Sequence, residues 1–160
     1  MEFKQVSLNA SMLYFEDTIN EEVLNQVQHA FLSLKNIEGI TDITPSYTSL
    51  LIEYDSSMYS HTSLEKLIKQ KLKNTPSTIT NEQKHIKIPT DYSKGEDIEA
   101  VAKYHDLTVE EVIDLHSSTT YRVYAIGFMV GFAYLGTLPQ KLITPRRATP
   151  RTKVPKGAVA

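Results

Sequence analysis

The sequence predicts an α+β fold, and three observations carry the prediction. Short segments with strand-like apolar spacing alternate with two longer stretches whose apolar residues recur at helical spacing. Thr-x-x-Glu pairs stand at the mouths of the helical stretches, where a hydroxyl and a carboxylate satisfy orphan backbone donors reciprocally. Glycine and proline gather late: residues 127–160 hold four of the six glycines, four of the seven prolines and three of the four arginines.

Met12 to Phe15 reads as a short strand. Thr18 and Glu21 form a capping-box pair, followed at helical spacing by Ile19, Val23, Val27, Ala30, Phe31 and Leu34, and the helix is expected to end between Asn36 and Gly39. Ile40–Tyr47 and Thr48–Tyr54 read as two strands. Thr62 and Glu65 open a second helix with Leu64, Leu67, Ile68 and Leu72 on one face, and His85–Pro89 alternates like a closing strand. The resulting order, βαββαβ, is that of a ferredoxin-like domain, placed at residues 1–84. A second region, residues 85–160, begins with two short helices. Ile98, Val101, Ala102 and Leu107 supply the apolar face of the first, and Thr108 with Glu111 caps the second. From Tyr121 the period becomes alternating, with Tyr121, Val123 and Ala125 on one side and Arg122, Tyr124 and Ile126 on the other.

Composition excludes several classes. With 160 residues, 41% hydrophobic and 22% charged, the chain is an ordinary globular sequence of one domain or two small ones. It has no cysteine, which rules out disulfides and thiol nucleophiles and agrees with a cytoplasmic location. No apolar run reaches the ~20 residues of a membrane span, and the first residues lack the apolar centre of a signal peptide. The net charge of −2 conceals an asymmetry: all 19 acids lie at or before Asp114 among ten bases, whereas seven bases and no acid follow. No nucleic-acid-binding motif accompanies the basic part, so no nucleic-acid partner is expected.

Candidate chemistry concentrates in that basic part. Gly127, Gly131 and Gly136 alternate with Phe128, Phe132, Tyr134 and Leu135, a composition suited to a shaped loop or bent strand rather than a helix. Such a loop can be a backbone anion cradle or a tight corner of a sheet. It matches neither the phosphate-loop pattern nor the dinucleotide fingerprint, so no cofactor is expected to bind here by motif. Arg146, Arg147 and Arg151 follow, with Pro145, Pro150 and Pro155 holding the segment extended. Arginine forks bind carboxylate or phosphate at two points, and the alternative is a solvated loop or structural pairing with the acidic part of the chain. Tyr134 can reach a ligand carbonyl or simply be an anchoring aromatic. His116, at the end of a helix, is a general-base candidate or a surface histidine favoured by the helix dipole. The five histidines have no metal-ligand spacing, and no metal site is expected.

The ordered pattern Tyr121, Val123, Gly127-Phe128, Gly131-Phe132, Tyr134-Leu135, Leu138-Pro139, Pro145-Arg146-Arg147, Pro150-Arg151, Val154-Pro155 and Gly157 resembles the KipI / PxpB family. This is the family of the 5-oxoprolinase subunit designated B, also known as allophanate hydrolase subunit 1. The resemblance extends back through Ser46–Asp55 and Thr108–Tyr124. Val130 stands where the family usually has proline, and Ala158 where it usually has serine. Family members continue further, whereas this chain ends on Gly157–Ala160, which reads as the start of a strand; the chain is expected to be a C-terminally shortened form. The resemblance implies that residues 85–160 begin a cyclophilin-like β-barrel of the carboxyltransferase type, left incomplete. It implies a component of an ATP-dependent 5-oxoprolinase that converts 5-oxo-L-proline to L-glutamate with companion subunits A and C, the assembled complex using ATP. Two other roles go with the family: inhibition of a sensor histidine kinase, and action on urea-derived substrates of the allophanate hydrolase and urea carboxylase type. Under the first role, Gly127, Phe128, Gly131, Phe132, Tyr134, Arg146, Arg147 and Arg151 are the ligand or interface candidates, and no complete nucleophile–base–acid set can be assembled.

Overall fold

The computed structural model of the chain describes residues 1–75 and 84–159. They form two compact units, one holding the described residues of Met1–Gln83 with Val123–Tyr134, the other those of Lys84–Arg122 with Leu135–Ala160.

The first unit is built on a four-stranded antiparallel sheet of β1 (Glu2–Ser7), β2 (Ala10–Tyr14), β3 (Ile40–Pro45) and β4 (Ser49–Tyr54), in the order β1-β2-β4-β3. Two helices, α1 (Glu21–Leu34) and α2 (His61–Asn74), contribute to the same core. Register explains which strand residues are buried. Phe3, Leu13 and Leu50 face one another across three strands, and Ser11, Ile52 and Ile43 form the next row. Both rows point into the core with Val23, Val27, Ala30 and Leu34 of α1 and Leu64 and Ile68 of α2. Burying side chains of this size stabilises by about 1.5–3 kcal/mol each before entropy is counted. Ser11 is the one fully buried polar residue among those described, and its Oγ lies 2.9 Å from Nδ1 of His61, whose ring stacks on Phe3. Gly39 joins α1 to β3 at φ +82°; an added Cβ would lie 2.6 Å from the Tyr59 ring, so both conformation and space require glycine.

The order of elements in this unit is therefore ββαββα, not the expected βαββαβ. The N-terminal segment is a strand that its own residues did not announce, and His85–Pro89 is not a strand; Ile86 and Ile88 are exposed. The physical reason is the edge beside β2. β1 pairs with that edge through a tight hairpin, so the place a closing strand needs beside β2 is already taken. The first two caps also move. Asn20, not Thr18, caps α1, its Oδ1 accepting from Val23 N–H at 2.8 Å. Ser60 with Ser63, not Thr62 with Glu65, forms the box of α2, and Glu65 pairs instead with Lys69 one turn later.

The second unit contains α3 (Ile98–Tyr104) and α4 (Val109–Ser117). Ala102, Val112 and Leu142 form its buried centre, with Ile98, Val101, Leu107, Val109 and Leu115 packed around them. Thr108 and Glu111 make the expected capping box at α4. β5 (Arg122–Ile126) and β6 (Ala133–Gly136), most of whose residues fall in the first unit, pair as a two-stranded ribbon. Residues 157–159 form a turn and coil, not the start of a strand, and Ala160 lies outside the described residues. The fold as a whole is mixed α and β with an antiparallel sheet.

Candidate functional site

The basic segment from Pro145 to Lys156 has neither helix nor strand, as its three prolines dictate: each removes a backbone donor and restricts the residue before it. Two of its arginines converge on one carboxylate. Arg151 donates from Nη2 to Oδ1 of Asp97 at 2.6 Å and from Nε to Oδ2 at 3.3 Å, a two-point fork. Arg147 Nη1 donates to the same Oδ1, and Arg151 Nη1 reaches Glu96. The Arg151 hydrogen bond, followed by the nearby charge of Arg147, holds the Asp97 carboxyl below its ordinary value, and Asp97 in turn raises Arg151. Beside the fork lies a hollow of about 700 Å³, largely open to solvent, lined by Arg147, Arg151, Lys153 and Glu96 with the threonines and prolines of the same segment. In this arrangement both arginines are engaged by the chain's own acids, Asp97 and Glu96, and Lys153 lines the hollow beside them.

Arg146 is exposed and has no ion-pair partner among the described residues. Glu96 and Asp97, which did not stand out in the sequence, supply the other half of the cluster. The available signal was an acidic pair immediately before a helical stretch in a unit whose other end carries only basic charges.

His116 is half-buried, its Nδ1 lying 2.6 Å from the Tyr92 hydroxyl and its ring 5.2 Å from that of Tyr121. Burial, then the neighbouring Tyr121, pushes the Tyr92 phenol up. The Tyr121 hydroxyl is buried and has no hydrogen-bond partner among the described residues.

The glycine-rich stretch belongs to the other unit and forms the turn between β5 and β6. Its amides are largely used internally: Gly127 N–H donates to Phe132 O at 3.0 Å, Met129 N–H to Gly127 O at 2.7 Å, and Phe132 N–H to Met129 O at 3.1 Å. Three donors that an anion cradle would direct outward are thus engaged in the turn. Phe128 takes φ +62° and Gly131 φ +78°, the left-handed geometry that makes the tight reversal. What this ribbon presents is aromatic: its Phe128, Phe132 and Tyr134, with Tyr47 from the turn between β3 and β4, form a row of rings with successive centroids 5.7, 5.1 and 5.9 Å apart. Among the described residues no group of acids and histidines is arranged to hold a metal ion, and no helix is long and apolar enough to cross a membrane.

The α+β architecture and the ordered glycine, proline and arginine pattern agree with one protein family. The chain belongs to the family of the carboxyltransferase domain, subdomains C and D, whose description matches residues 1–160 and whose relatives include the 5-oxoprolinase subunit designated B. It is 31% identical to that subunit from Bacillus subtilis strain 168, an alignment covering 99% of this chain and 72% of that protein. With the same subunit from Haemophilus influenzae it shares 55% identity over 78 residues, covering 48% of this chain and 37% of the relative. The solved structure of TTHA0988 superposes with a TM-score of 0.78 at 34% identity, over 91% of this chain and 29% of that one.

Proposed function

We propose that this chain serves as the PxpB component of an ATP-dependent 5-oxoprolinase, acting with subunits A and C to open 5-oxo-L-proline to L-glutamate in the cytoplasm. The observation that carries the reading is the Arg147–Arg151 pair, which gathers on one carboxylate, that of Asp97, beside an open hollow in the surface. The substrate bears one carboxylate, and its lactam carbonyl resists water until it is activated. ATP, handled by the assembled complex, supplies that activation by phosphorylating the amide oxygen. The contribution of this chain is to bind and orient: the arginines grip the substrate carboxylate, and Lys153 stabilises negative charge that develops nearby. The exposed aromatic row suits a surface that meets a companion subunit, because rigid rings give contact area at little entropic cost. In the same reading, residues 1–84 are a ferredoxin-like domain whose edge strand is supplied from the N-terminus, and residues 85–160 begin a cyclophilin-like domain.

Arg147→Ala in the assembled complex tests the assignment. It removes one of the two arginines and leaves Arg151 on Asp97, so folding is retained. Turnover of 5-oxo-L-proline is expected to fall by about 10²-fold. An unchanged rate overturns the reading.

A further inference from the structure

We propose that Asp97 is a built-in occupant of the arginine site, an internal carboxylate that a ligand carboxylate must displace. The inference rests on the reading of Arg147 and Arg151 as a carboxylate site and adds what keeps that site closed.

Two features of Asp97 carry the inference. The first is its geometry: it accepts from both Nε and Nη2 of Arg151 and shares Oδ1 with Arg147, which is how a bound carboxylate is held. The second is what it gives up. Asp97 stands at the N-cap position of α3, where an aspartate normally accepts from a backbone amide two or three residues on, yet it makes no such bond. The corresponding residues of the other three α-helices, Asn20, Ser60 and Thr108, all make theirs, with ψ of 171°, 159° and 162°. Asp97 has ψ −1°. The side chain most suited to capping α3 is turned to the arginines instead.

The pair is also within reach of solution. The side chains of Asp97, Arg147 and Arg151 are 41%, 55% and 29% exposed, so exchange needs no opening of a core. An internal competitor lowers apparent affinity by the fraction of time the arginines are free. A neutral amide at position 97 cannot match the charge-assisted fork, so the site would then be open to external carboxylates.

The test is a titration of the 160-residue chain with 5-oxo-L-proline, 2-pyrrolidone and inorganic phosphate, followed by the Arg Nε–H resonances in ¹H–¹⁵N spectra. Asp97→Asn is expected to bind 5-oxo-L-proline about tenfold more tightly than the parent chain, and Glu96→Gln about two- to threefold more tightly. 2-Pyrrolidone, which has the ring but no carboxylate, is expected to bind to none of them. Equal affinity of parent and Asp97→Asn for 5-oxo-L-proline overturns the occupant role and leaves the carboxylate site standing. Tightening for phosphate alone supports the occupant role while removing the 5-oxoproline reading. No binding by any variant overturns both. Asp97→Ser, which offers α3 a capping hydroxyl while removing the carboxylate, keeps the test decisive if Asp97→Asn does not fold.

Discussion

At the scale of single residues, the decisive unit is the Asp97–Arg151 fork. Its cause is the placement of a basic, proline-held segment against the residues that lead into α3. Because Arg151 lowers the Asp97 carboxyl in the folded chain, this pair contributes stability at pH values above the ordinary carboxylate value, and the contribution disappears as pH falls through the lowered folded value. The Arg151 Nε–H resonance is accordingly expected to hold its ion-paired position from neutral pH through the ordinary carboxylate range and to move only at lower pH. A transition at or above that range would contradict the pairing. The arginines of this cluster stood out in the sequence because prolines space them in a segment without acids. Their partners were not legible, because Glu96 and Asp97 look like any acidic helix entry until the chain is folded.

At the scale of elements, local signals and packing had to agree. Thr108 and Glu111 cap α4 as their spacing predicts, with Glu111 N–H donating to Thr108 Oγ1 at 3.2 Å and Thr108 N–H to Glu111 Oε2 at 2.7 Å. Thr62 and Glu65 have the same spacing and do not cap, since α2 starts with His61, behind Ser60, and His61 is held there by Ser11 and Phe3. Thr108→Ala is therefore expected to lower stability by about 1 kcal/mol, whereas Thr62→Ala, on the exposed face, changes it by less than about 0.5 kcal/mol. Urea unfolding midpoints of the two variants distinguish the cases. Equal losses would show that spacing alone sets these caps. The same contest decided the sheet edge: His85–Pro89 alternates well, but β1 occupies the place it needed.

At the scale of the whole molecule, the first unit has a continuous core, while the ribbon of β5 and β6 carries large apolar side chains into solvent. Phe128 is 84% exposed and Val130 fully so. Apolar surface of this kind, grouped in one segment, marks a place where another molecule binds or where copies associate. A Phe128→Ser, Val130→Ser double variant is expected to leave the unfolding free energy within about 0.5 kcal/mol of the parent, since neither side chain is buried. Its light scattering at high concentration is expected to fall. A loss of stability beyond that margin would mean that these side chains are covered in solution.

The sequence by itself determined the class of fold, the two helices of the first unit, the pair of short helices that follow, the family and the extended, basic character of the segment from Pro145 to Lys156. Each depends on short-range periodicity or on residues whose backbone and charge properties act wherever they stand. Only the tertiary structure decided which strand fills the edge beside β2, which hydroxyl caps α2, and that Asp97 turns from its helix to the arginines fifty or more residues away. Those outcomes are competitions between alternatives with similar local preference, and the winner is set by strand pairing, burial and charge pairing between residues far apart in the chain.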